Sequence, residues 1–426
     1  MARRKSLRLS TAVAAFAALA IWIGSAQGPA EAPAGYDTPI YNTGSSPQGN
    51  GMPLATNETL ADDMATFMEE DDITGGLGPV YNARGCVDCH ANPVVGGGSI
   101  VSELRVGHHD AHGNFVNPTI LINDGATAIS NRSLVNDRAI CPQAQERVPG
   151  TETIHALRAT TSTLGEGFVE AIADSTLLSI AANQAKLTGG RIAGQAIQVP
   201  VAEAPGQTRV GRFGWKDQQG SLLSFAGDAY VNEQGITNRL FSSDTTNVCD
   251  NVPDIEDKTD PATGLQDIDK FASFIRSTKV PPRDTALAST PDAQQGAAIF
   301  HAIGCDICHV SSITTAPAGT AINGGAFTVP QALGNKVIHP YSDFLLHNVG
   351  TGDGIVQNGP QNTAYKLRTP PLWGMRTKSR LMHDLLSATR QEAILRHGGE
   401  AIFVTNNYRA LTMQQKAQLI AFLNSL

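Results

Sequence analysis

Two copies of one short pattern, Cys86-Val87-Asp88-Cys89-His90 and Cys305-Asp306-Ile307-Cys308-His309, decide how this sequence is interpreted. Two thiols at this spacing can each add to a vinyl group of a porphyrin, and the histidine that follows is placed to bind the iron. A thioredoxin-like redox pair would need a surrounding βαβ pattern, and a zinc site would need a second ligand pair nearby. The sequence shows neither, so it predicts two covalently attached haem c groups, with His90 and His309 as proximal iron ligands.

The other two cysteines, Cys141 and Cys249, do not share this spacing. In an oxidising compartment two unmatched cysteines usually pair, and a bridge here would close a loop of more than a hundred residues. The alternative is two unrelated buried thiols. We expect a disulfide with a structural role and no catalytic one.

The first 26 residues have the composition of an export signal. Four basic residues lie within the first eight, a short apolar run extends from Thr11 to Gly24, and Gly24 and Ala26 offer a cleavage site. An uncleaved membrane anchor is the alternative, but the run is shorter than the roughly 17–25 residues that a spanning helix needs. The sequence therefore predicts a periplasmic or otherwise exported protein, with no stable membrane insertion after residues 1–26 are cleaved.

The charge of the chain limits its partners. The net charge is −8, and cleavage removes four basic and no acidic residues, which brings it to −12. Such an acidic surface argues against nucleic acid as a partner. A small redox protein with a basic face, such as a cytochrome c or a copper protein, suits it as an electron donor or acceptor.

The length of 426 residues exceeds what one hydrophobic core usually spans, so two domains are expected. Residues 27–58 are rich in Gly, Pro, Ser, Asn and Thr and predict a flexible N-terminal segment. The proline pair within 279–283 breaks a helical pattern and marks the domain boundary. This gives an N-terminal haem domain at 59–282 and a C-terminal haem domain at 283–426.

Helical patterns suggest that the two domains are related. One precedes each Cys-x-x-Cys-His motif, at 59–70 and 291–300, and another closes each domain, at 267–276 and 412–426. Between the first motif and residue 149 the chain is rich in Gly, Asn and His without a sustained period, which predicts long loops. The expected fold is mostly α: two cytochrome c-like haem domains related as a diverged repeat, with long loop insertions in the first.

Further stretches resemble a known family; they are Arg212-Phe-Gly-Trp-Lys216, Asn232-Glu-Gln-Gly-Ile-Thr237, Tyr341-Ser-Asp-Phe-Leu-Leu-His-Asn-Val-Gly350, Arg368-Thr-Pro-Pro-Leu-Trp-Gly374 and Glu392-Ala-Ile-Leu-Arg-His-Gly-Gly-Glu-Ala401. The chain resembles the di-haem oxidoreductases, often labelled "thiol oxidoreductases", which are similar to bacterial di-haem cytochrome c peroxidases. The resemblance runs from about Leu60 to Leu426 and implies an active site between or beside the haems. Thiol chemistry has no support, because no remaining cysteine pair has redox spacing.

The resemblance assigns roles to three residues. His397 stands where the peroxidases usually have a methionine as sixth ligand of the C-terminal haem, and a second imidazole would lower that haem's potential. Trp215 matches a tryptophan between the two haems that assists electron transfer, and Glu233 matches an acid–base group at the N-terminal haem. The alternatives are a surface or helix-capping histidine, a core tryptophan and an exposed glutamate.

Two features of the family stay open. His108, His109 and His112 lie about where the peroxidases carry a switchable ligand of the first haem, but the surrounding residues match poorly, and an open site or another ligand is an equal alternative. Thr369 and Pro371 match positions that help to hold an interdomain calcium ion in the peroxidases. Calcium also stays open, because no matching asparagine is evident.

These features together predict a di-haem c-type oxidoreductase that reduces peroxide, with electrons passing from one haem to the other. A related enzyme alternative is oxidation of another substrate, as in the methylamine-utilisation enzyme that modifies a partner protein. The alternative from a different class is an electron carrier without catalysis, in which both irons are closed by two ligands.

Overall fold

A computed structural model describes residues 28–36 and 47–426. The predicted signal at 1–26 lies outside the described residues, so export stays a prediction. Within the described ranges no helix is long and apolar enough to cross a bilayer.

The described ranges contain ten α-helices, most of them short. They are α1 (Leu60–Met68), α2 (Glu166–Glu170), α3 (Asp174–Thr188), α4 (Leu222–Ala229), α5 (Asp267–Ser277), α6 (Thr285–Ala288), α7 (Pro291–Ile303), α8 (Arg390–Leu395), α9 (Ile402–Ala410) and α10 (Met413–Asn424). A π-helical turn, Tyr230–Gln234, continues α4. Side chains cap several of the helix starts; for example, Thr412 and Gln415 form the capping box that their spacing predicts at the start of α10.

The strands are mostly two or three residues long. They are β1 (Ala30–Glu31), β2 (Val80–Tyr81), β3 (Ser102–His109), β4 (Phe115–Val116), β5 (Ile120–Ile122), β6 (Ala128–Ile129), β7 (Leu134–Val135), β8 (Arg138–Ala139), β9 (Glu146–Arg147), β10 (Ile154–Ala159), β11 (Gln198–Pro200), β12 (Thr208–Val210), β13 (Ile313–Thr314), β14 (Ala321–Ile322), β15 (Phe327–Thr328), β16 (Lys336–Ile338), β17 (Leu346–His347) and β18 (Leu367–Arg368). The longest strand, β3, pairs with β10, β4 and β7 in a four-stranded antiparallel sheet.

The prediction of a mostly α fold made of two cytochrome c-like repeats is wrong. Only 30% of the structure is helical and 15% is strand, and the strands form many small sheets. Much of the stretch expected to be loop, between the first motif and residue 149, pairs as strands. Strands of two or three residues are too short to show the alternation by which a strand is recognised in a sequence.

Two crossing helix pairs position the two motifs. Helix α1 packs on α5, where Phe67 lies 4.7 Å from Phe274 between ring centroids, and Phe67 also lies 6.1 Å from the His90 ring. Helix α7 packs on α10, where Phe300 lies 5.2 Å from Phe422 and 6.2 Å from the His309 ring. Each proximal histidine therefore borders an aromatic core of its own helix pair.

The largest apolar core contains residues from both sides of the predicted domain boundary at residue 283. The boundary itself stays a prediction. The core combines Phe168 and Phe274 with Ile338 and Phe344 from the other side of residue 283. The N-terminal segment also contacts the part of the chain after residue 283, because β1 pairs in parallel with β16. The first and second halves of the chain are thus packed on each other.

Candidate functional site

Both Cys-x-x-Cys-His motifs form the same local structure. Residues Cys86–Asp88 and Cys305–Ile307 are single 3₁₀ turns. The turn is closed by the amide of His90, which donates to Cys86 O at 2.9 Å, and in the second motif by His309, which donates to Cys305 O at 3.0 Å. In each motif this brings the two thiols and the imidazole to the wall of one cavity.

The cavities are close in size. The first, beside His90, has a volume of about 510 Å³, and the second, beside His309, has about 530 Å³. Both lie within the roughly 300–1,000 Å³ typical of small-molecule and cofactor sites. Each contains both thiols of its motif, Cys86 and Cys89 or Cys305 and Cys308, and none of the four is in a disulfide.

The proximal histidines are oriented by backbone carbonyls. Nδ1 of His90 donates to Gly97 O at 3.1 Å, and Nδ1 of His309 donates to Tyr341 O at 2.9 Å. This hydrogen bond fixes the tautomer that leaves Nε2 as a free lone pair. Burial lowers the pKa of both imidazoles to about 4, so both are neutral at neutral pH, as a metal ligand must be.

His397 provides a second imidazole in the second cavity. Its Nδ1 donates to Ala393 O at 2.7 Å, so its Nε2 is also free, and burial lowers its pKa. Its ring centroid lies 6.5 Å from that of His309. Since a histidine nitrogen binds a transition metal at about 2 Å, two rings at this separation leave room for one metal ion between them.

The first cavity has no such second position. Among the described residues that line it, His90 is the single histidine, and none is a methionine or lysine. None of the three histidines suggested by the sequence lies there. His108 Nδ1 pairs with Glu152 at 2.8 Å, the His109 ring lies beside Tyr365, and His112 is exposed on a turn.

Trp215 lies where the two cavities meet. It lines both of them, together with Ala159 and Thr160, and its indole N–H donates to Ala159 O at 2.8 Å. The edge of its ring system faces His383, 6.0 Å away, which lines the second cavity. The indole is therefore satisfied by hydrogen bonding and also separates the two candidate cofactor sites.

Glu233 lies in the π-helical turn after α4 and lines the first cavity with Cys89 and His90. Its Oε2 accepts a hydrogen bond from Asn82 Nδ2 at 2.7 Å. Burial, and then the negative charge of Glu103, raise the pKa of Glu233 to about 8. Its carboxyl group is thus protonated at neutral pH and available as a proton donor.

The polar groups of both cavities fit a dianionic porphyrin. Nη2 of Arg158 in the first cavity and Nε of Arg390 in the second are buried and have no hydrogen-bond partner. Lys378 also lines the second cavity, and burial lowers its pKa to about 8. Arg158 also pairs with Asp353 through Nε, but its Nη2 and the Nε of Arg390 remain free donors that suit the carboxylates of haem propionates. Both cavities therefore fit a haem.

Some residues that line the cavities were missed by sequence reasoning. Glu103 and Arg105 on β3 lie in the first cavity, and His347 and His383 lie in the second. His347 is held between Asp343 at 2.9 Å and Glu400 at 3.0 Å. His347 lies in one of the stretches that resemble the family, whereas Glu103, Arg105 and His383 belong to no short recognisable motif, so no local signal identifies those three.

The structure joins Cys141 and Cys249 in a disulfide with a Cα–Cα distance of 6.5 Å, away from both cavities. Thr369 and Pro371 line the second cavity. The carbonyl of Thr369 accepts a hydrogen bond from Ser342 Oγ at 2.6 Å. Calcium stays an untested prediction.

Residues 143–426 match the model of a family described as "Di-haem oxidoreductase, putative peroxidase". The chain belongs to this di-haem oxidoreductase family. Membership implies haem cofactors and a redox function for this chain. The match contains the second Cys-x-x-Cys-His motif and begins after the first, so the first motif lies outside the matched range although Trp215 and Glu233 of its cavity lie inside it.

Comparison with solved structures gives distant similarities. A MauG-like protein associated with microbial copper homeostasis is 20% identical, with 40% of this chain covering 55% of that chain and a TM-score of 0.26. Hydrazine synthase from Kuenenia stuttgartiensis, in a crystal pressurised with xenon, is 13% identical, with 92% of this chain covering 99% of that chain and a TM-score of 0.37. The chain thus spans about half of the first protein, and neither score establishes a shared fold. No curated protein matches the sequence.

Proposed function

We propose that this di-haem oxidoreductase is an exported c-type cytochrome that reduces peroxide with electrons from a small redox protein. The observation that carries the proposal is the difference between the two cavities. The second presents two opposed imidazoles, His309 and His397, whereas the first presents His90 alone with a protonated carboxyl group, Glu233. A site with one protein ligand leaves a position for substrate, and a site with two suits electron transfer.

The residues of the chain have separate roles in this proposal. The thiols of each motif would hold a haem covalently, with His90 and His309 below the metals, and Arg158 and Arg390 would pair with propionates. Bound haem supplies the one-electron chemistry that side chains lack. Trp215 lines both cavities, so one aromatic side chain would lie between the two haems.

Glu233 is the proton donor in this proposal. Reduction of one peroxide to two waters takes up two electrons and two protons, and one proton must reach the oxygen that leaves. Asn82 fixes the orientation of the Glu233 carboxyl group, and burial keeps the proton on it at neutral pH. The protonated form is lost as pH rises above about 8, so peroxide reduction should fall over the same range.

Peroxide kinetics and spectroscopy of the haem-loaded protein test the proposal. Reduced wild type should be oxidised by hydrogen peroxide, and paramagnetic resonance should show one low-spin haem and one haem that is high-spin or opens on reduction. Glu233→Gln should lower kcat by about 10²–10⁴-fold below pH 8. Glu70→Gln, an exposed glutamate paired with Arg84, is the matched control and should leave kcat unchanged. Two low-spin haems and no reaction with peroxide would instead indicate an electron carrier.

Covalent attachment and export have a separate test. The mass of the mature protein should equal the polypeptide from about residue 27 plus two haems, if residues 1–26 are cleaved and both motifs form thioethers. Changing Cys305 and Cys308 to serine should remove the mass of one haem. The unmodified polypeptide mass in wild type would contradict the c-type assignment.

A further inference from the structure

Glu103 is a second carboxylate in the first cavity. It lies on β3, lines the cavity with Glu233, and falls outside residues 143–426, which match the family model. Its side chain is 21% exposed, and Glu233, which lies beside the motif cysteine Cys89 in the same cavity, is also partly exposed. Solvent can therefore reach the pair at Glu103.

Arg105 holds Glu103 in its charged form. Nε of Arg105 donates to Oε1 of Glu103 at 2.7 Å, and Nη2 donates to Oε2 at 2.8 Å. Burial acts to raise the pKa of Glu103, but the charge and hydrogen bonds of Arg105 outweigh it, and the pKa is lowered. A two-pronged pair of this kind favours a carboxylate over a carboxylic acid.

The two carboxyl groups are hydrogen-bonded to each other. Ionised carboxylates only accept hydrogen bonds, so this contact needs a proton on one of them. Asn82 donates to Oε2 of Glu233, and Oδ1 of Asn82 accepts from the amide of Asp137 at 2.9 Å, which fixes the direction of the Asn82 amide. Oε1 of Glu233 is then the oxygen left to carry the proton toward Glu103.

We propose that Glu103 and Glu233 hold one proton between them, and that Glu103 is a positioning residue that returns a proton from solvent to Glu233 after each delivery. The inference rests on the proposed peroxide reduction. When Glu233 gives its proton to the leaving oxygen, two carboxylates face each other. Their repulsion then favours uptake of one proton from water, which restores the pair.

Other charged and titratable groups face the pair from the neighbouring elements. They are Arg105 on β3, Arg158 on β10, Asp228 on α4 and Cys89 beside the first motif. Burial raises the pKa of Asp228. Arg105 acts on both carboxyl groups, but its two hydrogen bonds go to Glu103, so the carboxylate of the pair is placed on that side.

Infrared difference spectra of the haem-loaded protein against pH test the pair without peroxide. Wild type should show a carboxylic acid band that disappears as pH rises through about 8, and Glu233→Gln should lack it. In Glu103→Gln the band should disappear at a pH lower by about one unit or more, because a neighbouring negative charge is gone. Glu103→Asp should restore part of the shift, and Glu70→Gln should titrate as wild type.

The pH profile of kcat should follow the infrared titration, with the alkaline limit of Glu103→Gln moved down while KM is unchanged. A band in Glu103→Gln that titrates as in wild type would overturn the proposal, and so would a band that persists in Glu233→Gln. If wild type shows the shared proton but does not consume peroxide, the proposed function fails while the pair stands. If Glu103→Gln does not fold, Arg105→Lys can be used in its place. This variant loses the two parallel hydrogen bonds from Arg105 to Glu103 and should change the pH at which the same band disappears.

Discussion

His309 and His397 face each other across the second cavity with ring centroids 6.5 Å apart, and each donates its Nδ1–H to a backbone carbonyl. Both Nε2 atoms therefore keep a lone pair that can bind a metal. This relationship distinguishes the second cavity from the first, where His90 faces no other imidazole among the described lining residues. A change of His397 should therefore affect the second haem alone.

Replacing His397 by methionine should raise the potential of the second haem. A thioether stabilises ferric iron less than an imidazole, so the shift is expected to be on the order of 0.1–0.2 V, within the roughly 0.8 V that axial ligands span. A spectroscopic redox titration measures it. His112→Met, in an exposed turn, is the control and should leave both potentials in place. An unchanged potential in His397→Met would show that His397 is not a ligand.

Trp215→Phe should slow electron transfer between the haems. The variant loses the hydrogen bond from the indole to Ala159, a loss of about 1 kcal/mol in stability, and shortens the aromatic group between the cavities. Rapid mixing with a reductant, followed at each haem, measures the rate. Trp373 lines only the second cavity, so Trp373→Phe should keep the wild-type rate. Equal rates in both variants would remove Trp215 from the proposed pathway.

Changing Cys141 and Cys249 to serine should destabilise the protein without changing its haem content. The disulfide joins residues 108 apart in sequence, and the loss of such a constraint costs about 2–5 kcal/mol in the free energy of unfolding. Denaturant unfolding gives the loss, and the absorbance of the haems gives the content. A loss of haem in this variant would indicate that the disulfide also supports a haem site.

Gly296→Ala should weaken the pair of helices behind His309. A Cβ atom at this position would lie 2.0 Å from Gln418 O on α10, so α7 and α10 would have to separate. We expect a loss of about 1–3 kcal/mol, despite the better helix propensity of alanine. Gly150→Ala, where a Cβ meets no atom within 4 Å, should be close to neutral. Equal stabilities would mean that the helices adjust freely.

Much of the site could be predicted because its signals are local in sequence. The spacing within Cys86–His90 and Cys305–His309 is set by the reach of a single turn, and it produces the same turn in both places. The start of a helix could also be predicted from the sequence, because Thr412 and Gln415 form a capping box at the start of α10. The helical pattern at 267–276 became α5 with little change in its bounds.

The strands and the differences between the two cavities could not be predicted in this way. Short strands such as β5 and β6 are fixed by partners elsewhere in the chain and show no period of their own. Glu233 was identified through the family resemblance, but its partner Glu103 lies 130 positions earlier, on a strand that was expected to be loop.

The amino-acid sequence by itself predicted where two porphyrins could be attached and which histidines would bind the irons, because that chemistry needs only neighbouring residues. The family resemblance also named His397 as the partner of His309, and the tertiary structure placed the two rings 6.5 Å apart. Only the tertiary structure decided that His90 has no counterpart in the described part of its cavity and that Glu103 meets Glu233. The physical reason is that ligand geometry and shared protons depend on distances of a few ångströms between residues far apart in the chain. Packing of the whole molecule sets those distances.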